Sequence, residues 1–168
     1  MNSLAAYRRF PVIYIAGPYT AGDPAVNVHR AVDVAHYLMD HGLAWPLVPH
    51  LSHLWHLIAP RPYADWIALD FALLERCDGL IRLPGVSTGA DAETDWCTEN
   101  AVPWIALTDA WAADSSLGLR SWIAETWPND GAVAVAVAEW RRRHRAPHPL
   151  APPRPLLIRN TTTKGTRP

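Results

Sequence analysis

Glu93 follows the segment Leu83-Pro-Gly-Val-Ser-Thr-Gly89, a loop of small and hydroxyl-bearing residues that ends in a helical pattern. A carboxylate one turn behind such a loop suits chemistry on a sugar phosphate or nucleotide. Ser87, Gly89 and the backbone N–H groups opening a helix at Ala90 would hold an anionic or hydroxyl-rich group. Glu93 would point back toward the same crevice. Asp70 is a second candidate, because Trp66, Asp70 and Leu74 are four apart and share one helix face. A carboxylate on a mostly apolar face costs free energy unless it is paired or used. It is either an acid bonded to backbone at the core edge, or a catalytic acid or acceptor of sugar hydroxyls. His50, His53 and His56 stand three apart, but no carboxylate or cysteine accompanies them locally, so no metal site is expected. They fit packing and hydrogen bonding at a cleft wall, or contact with a base; His50 is taken as a substrate-binding candidate.

The elements that must position these groups alternate between strand and helix. Pro11–Ala16 is an apolar, β-branched run stopped by Gly17-Pro18, which makes a central strand ending in a turn. Gly17 and Pro18 would lie at its carboxyl end, beside the Ser87 loop in a parallel sheet. The turn matches neither G-x-G-x-x-G nor a phosphate-binding loop with Gly-Lys-Ser/Thr. Residues 25–41 carry Val28, Ala31, Val32, Ala35, Leu38 and Met39 at helical spacing, with Asp23 or Asn27 as cap and Gly42 as stop. A second strand over 43–48 contains Pro46, which places it at an edge. A helix over 63–76, a buried strand over 79–83, a helix over 90–100 and a strand over 102–107 complete the repeat. Asp78 stands at a helix exit and is read as structural. Residues 114–120 read as a loop and 119–127 as a short helix. This pattern predicts an α/β fold, a Rossmann-like or flavodoxin-like three-layer sandwich with a mainly parallel sheet. A last helix over 132–145 and a disordered Pro/Thr/Arg-rich tail over 146–168 follow a single domain spanning 1–145.

The chain has 168 residues, 49% of them hydrophobic, enough for one domain with a substantial core. A formal net charge of -1 gives no basic footprint for bulk nucleic acid. Cys77 and Cys97 have no paired spacing, so neither a disulfide frame nor a zinc site is indicated. No segment reads as a secretory leader or a membrane span. The expectation is a soluble cytoplasmic protein with reduced thiols. The basic run Arg141–Arg145 is read as the solvated end of a helix.

Taken together, Val12-Ile-Tyr-Ile-Ala-Gly-Pro18, Asp70 with Glu75-Arg-Cys-Asp-Gly79, Leu83-Pro-Gly85 and Gly89-Ala-Asp-Ala-Glu93 resemble the nucleoside 2-deoxyribosyltransferase superfamily. More narrowly they are similar to its small DUF4406-type branch of phage and bacterial genomes. The similarity covers residues 11–107 and implies a flavodoxin-like core. It implies that Glu93 is a nucleophile toward the anomeric carbon, that Asp70 assists the base or the nucleophile, and that Tyr14 positions the nucleophile. It also implies no cofactor, a nucleoside or nucleoside 5′-monophosphate as partner, and a homodimer or larger assembly. A neighbouring subunit would complete the site, with Ser115, Ser116 and Asn129 as candidates. In the family, the residue six before the nucleophile is acidic in transferases acting on free nucleosides and serine in hydrolases of 5′-monophosphates. Here it is Ser87, which favours a nucleoside 5′-monophosphate N-glycosidase. A free-nucleoside transferase, a nucleotide sensor of the same fold, and a scaffold protein using the Trp-rich surface stay open.

Overall fold

Residues 10–108, 115–128 and 142 are described by a computed structural model of the chain. The first apolar run forms β1 (Val12–Ala16). Strand side chains alternate between the two faces of a sheet. Ile13 and Ile15 therefore enter one core layer and Tyr14 and Ala16 the other, all four with no exposed surface. Next comes α1 (Pro24–Asp40), where Pro24 occupies the first turn and the Asp23 side chain accepts from Ala25 N at 2.8 Å. Gly42 takes a φ of 60° just beyond its end. The buried stripe of α1 is Asn27, Ala31, Val34, Ala35 and Leu38, whereas the expected Met39 lies exposed. Asn27 is tolerated there because its amide donates to the carbonyls of Tyr19 and Ala21, tying down the loop after β1.

Strand β2 (Trp45–Leu47) holds Pro46 at the sheet edge, where a missing N–H costs no ladder bond. A single turn of 3-10 helix (Pro49–Leu51) leads into α2 (Ser52–Ile58), and α3 (Tyr63–Leu74) follows the break at Pro60-Arg-Pro62. Then come β3 (Gly79–Arg82), α4 (Thr88–Glu99), β4 (Trp104–Ala106) and α5 (Ser115–Thr126). All strand pairs are parallel, in the order β2-β1-β3-β4. Asp78 is structural, as expected: its carboxylate accepts from Val12 N at 2.7 Å and fastens β1 to the end of α3.

Right-handed crossovers put helices on opposite faces when the winding direction reverses. Here α1 and α5 cover the Ile13/Ile15 face, through Ala31, Val34, Leu38, Leu119 and Ile123. Leu74, Ala90 and Cys97 bring α3 and α4 onto the Tyr14/Ala16 face. The result is the three-layer α/β sandwich expected. Two boundaries differ. Helix α4 begins at Thr88 rather than Ala90, because Ser87 caps it. Helix α5 begins at Ser115, where a loop over 114–120 is expected; Leu119 and Ile123, one turn apart, bury themselves in the core and outweigh Gly118 and its serine neighbours. Residues 1–9, the last helix expected over 132–145 apart from Arg142, and the tail expected over 146–168 lie outside the described residues. Among the described residues no helix is long and apolar enough to cross a membrane.

Winding runs from β1 outward to β2 on one side and from β3 outward to β4 on the other, so the carboxyl ends of β1 and β3 flank a switch point. Loops diverge there and leave a crevice. The two loops at this point interlock through missing side chains. A Cβ on Gly17 would stand 3.0 Å from Leu83, and one on Gly85, whose φ is +110°, would stand 2.8 Å from Pro18.

Candidate active site

Tyr14 lies at the centre of β1, under the α3/α4 layer, and its ring is fully buried. Its hydroxyl donates to Glu93 Oε1 at 2.6 Å, a short charge-assisted bond in a buried setting. Glu93 reaches that point because α4 is started by Ser87, whose Oγ accepts from Ala90 N at 3.2 Å. Asp70 comes from the facing helix α3 and interacts electrostatically with both Tyr14 and Glu93. One of its oxygens, Oδ1, is buried without a hydrogen-bond partner.

Burial dominates the electrostatics. It lifts the Glu93 carboxyl from 4.5 to about 7; the Tyr14 hydrogen bond opposes this, the Asp70 charge adds to it, and Arg82 opposes it weakly. Burial alone lifts Asp70 from 3.8 to about 6. Burial and the neighbouring carboxylates raise Tyr14 far above the ordinary phenol range, so its hydroxyl remains a donor at any working pH. Two carboxyls in one field titrate as a pair and share protons near neutrality. Taken singly, those values would ionise Asp70 first. The hydrogen bonds argue for the other arrangement: Tyr14 donates to Glu93, and the inner oxygen of Asp70 has no donor. The Tyr14 hydrogen bond thus favours the form with Glu93 ionised and the proton on Asp70, while burial, the larger effect, holds a proton on Glu93 up to about 7.

A cavity of about 410 Å³ opens over this pair, large enough for a mononucleotide. The structure brings Gly17, His50, Asp70, Ser87, Gly89, Ala90 and Glu93 to its wall. Tyr14 acts from below rather than from the wall. Pro18 also stays off the wall, but its carbonyl accepts from His50 Nε2 at 3.1 Å and its ring packs on Gly85. With its proton on Nε2, neutral His50 keeps an unpartnered lone pair on buried Nδ1. Burial lowers its pKa, against the backbone hydrogen bonds.

Ser87 lines the cavity and also caps α4: its Oγ accepts from Ala90 N, and its O–H donates to the Gly17 carbonyl at 3.5 Å. Beside it, the N–H groups of Thr88 and Gly89 in the first turn have no partner within the helix. Asp91 is turned away from the cavity and pairs with Arg82 at 2.7 Å, so its charge does not oppose an anion there. Ser115 and Ser116 begin α5, on the opposite face of the sheet from the cavity, and Asn129 lies outside the described residues. The sequence reading missed Arg61, Tyr63 and Ile67 as wall residues, and read His56 and Trp66 only in general terms. The signal for Tyr63, Trp66 and Ile67 was present: they precede Asp70 on the same helix, at spacings of seven, four and three.

The family model described as a domain of unknown function (DUF7768) matches residues 11–106. That span runs from the residue before β1 to the last residue of β4 and contains every residue that lines the cavity. No curated protein matches the chain.

Proposed function

The chain belongs to the DUF7768 family, and from the site enclosed by that span we propose that it cleaves the N-glycosidic bond of a nucleoside 5′-monophosphate. The observation that carries this reading is the buried Tyr14–Glu93 hydrogen bond of 2.6 Å with Asp70 beside it, at the wall of a nucleotide-sized cavity. A binding protein would have no use for a desolvated carboxylate fixed from below by a permanent donor. A nucleophile does.

In the proposed reaction an oxygen of ionised Glu93 attacks C1′ of the sugar. The C1′–N bond breaks, its electron pair goes to the base, and Asp70 delivers its proton to the departing heterocycle. The product is a glycosyl ester on Glu93. Water then adds at C1′, the ester C–O bond breaks, and Asp70 takes the proton from the water. Positive charge on the sugar is met by Glu93 at close range, the device of retaining glycosidases. Tyr14 holds Glu93 in place and stabilises the negative charge that returns to the Glu93 carboxylate as the ester opens. The 5′-phosphate would lie against the N–H groups of Thr88 and Gly89, at the positive end of α4. Transfer to an acceptor base uses the same ester and differs only in what resolves it. A homodimer or larger assembly is part of the same proposal, resting on the resemblance.

Purified protein incubated with nucleosides and 5′-monophosphates, with and without an acceptor base, tests the reading. Base released from monophosphates and abolished by Glu93→Ala is the expected result. Base exchange confined to mixtures with an acceptor would make the protein a transferase. No turnover of any compound, with wild type and variant alike, would refute both forms.

A further inference from the structure

The helices α2 and α3 supply part of the cavity wall, and one contact joins them there. The indole Nε1–H of Trp66 donates to His56 Nδ1 at 2.8 Å. Trp66 is itself held edge-to-face by Trp55, with ring centroids 5.2 Å apart at 89°. A neutral imidazole that accepts at Nδ1 carries its proton on Nε2. Among the described residues no acceptor meets that Nε2–H, and His56 lines the cavity. The contact thus presets a donor at the N–H edge of Trp66, facing the cavity.

Trp66 and Asp70 are four residues apart on the same face of α3, about 6 Å along the axis. That is close to the span of a nucleobase from its glycosidic nitrogen to its far edge. We infer that the base lies along the Trp66 wall with its glycosidic nitrogen toward Asp70 and its far-edge substituent toward His56 Nε2–H, so that His56 selects bases carrying a keto oxygen there. An amino group at that position would set donor against donor at half-buried His56 and leave both unpaired once the base displaces water there, which is penalised. His56 is then a specificity residue, and Trp66 a positioning residue acting through it. The inference rests on the glycosidase reading for its substrate, but not for its test.

Inosine against adenosine 5′-monophosphate, and uridine against cytidine 5′-monophosphate, differ at this substituent; each pair is compared in ribose and deoxyribose forms. Wild type should favour the keto member of each pair at least about tenfold in kcat/KM. His56→Phe should bring the ratio toward unity, and His56→Gln, whose amide can donate, should retain part of it. Trp66→Phe keeps an aromatic ring, smaller than the indole, and removes the N–H. It should lower the ratio too, and shift the imidazole nitrogen resonances of His56 from the Nε2–H pattern toward a mixture of tautomers. Preference for the amino member, a ratio indifferent to His56→Phe, or a wild-type His56 without the Nε2–H pattern would overturn the inference. If nothing is turned over, the same pairs are titrated as ligands by tryptophan fluorescence. A His56-dependent keto preference there upholds the inference while the glycosidase reading falls, and absence of binding removes both.

Discussion

Replacing Glu93 with glutamine separates its charge from its shape. In the folded protein Glu93 is 6% exposed, and its carboxyl is lifted from 4.5 to about 7, chiefly by burial. At about 1.4 kcal/mol per pH unit, that lift corresponds to about 3 kcal/mol. The sign follows from the folded state holding the proton more tightly than the unfolded chain does. Stability tied to that proton is complete below about 4.5 and is lost as pH rises through about 7. Glutamine does not ionise, keeps an oxygen for the Tyr14 hydroxyl, and adds an amide with no assured partner, a cost of about 1 kcal/mol.

Wild type and Glu93→Gln should therefore be about equally stable near pH 5. By pH 8 the variant should be the more stable by about 2 kcal/mol, or roughly 4–8 °C in Tm for a chain of this size. Urea unfolding followed by tryptophan fluorescence between pH 5 and pH 8 reads the difference directly. The variant should at the same time lose turnover, the pattern of a site whose strain serves chemistry. Stability curves separated by a constant offset across that range would refute the reasoning, because they would mean that burial of Glu93 does not penalise its ionised form.

Two further substitutions probe the parts around it. Tyr14→Phe removes the donor at 2.6 Å and lets the Glu93 carboxyl rise further; loss of a bond to a charged group, about 1.5–3 kcal/mol, should lower turnover by roughly ten- to a hundredfold. The ascending limb of the pH–rate profile should move to higher pH, and an unmoved limb would mean that Tyr14 does not act on Glu93. Gly85→Ala places a side chain at a φ of +110° and 2.8 Å from Pro18, which should cost about 1–3 kcal/mol in thermal denaturation. Because the Pro18 carbonyl holds His50, ligand affinity should weaken as well, and an unchanged Tm would show that the loops are not locked together as described.

The strand and helix order was legible because each signal was local. A β-branched run before Gly17-Pro18, an Asp before a Pro-initiated helix, and a Pro in an edge strand all act within a few residues. Asp70 stood out for the same reason, as a charge on an apolar stripe. Ser87 was legible as a cavity residue but not as a cap, because a serine before a helix suits either task and only the position of the first helical turn reveals the cap. The meaning of Asp91 depended on Arg82, nine residues away across the turn. The Trp66–His56 pair was out of reach for a stronger reason. It joins α2 to α3 across a proline-broken connection whose angle no local rule specifies.

The division of labour between the two core layers explains where the family span ends. The Ile13/Ile15 layer buries no ionisable carboxyl, and α5 closes it, with Trp127 laid over Gly79 so closely that a Cβ there would meet its ring at 2.6 Å. The Tyr14/Ala16 layer carries the desolvated carboxyls instead. Burying them lowers stability above neutral pH, so the opposite layer must supply the compensating apolar burial. Everything that touches the cavity lies before the end of β4, whereas α5 contributes only to the compensating side. A substitution in α5, such as one at Leu119 or Ile123, should thus act on stability through the sheet and leave the Tyr14–Glu93 geometry intact. Tyr14 on β1, Asp70 on α3 and Glu93 on α4 meet on one face of the sheet, and the alternation of side chains along β1 keeps them apart from the other layer.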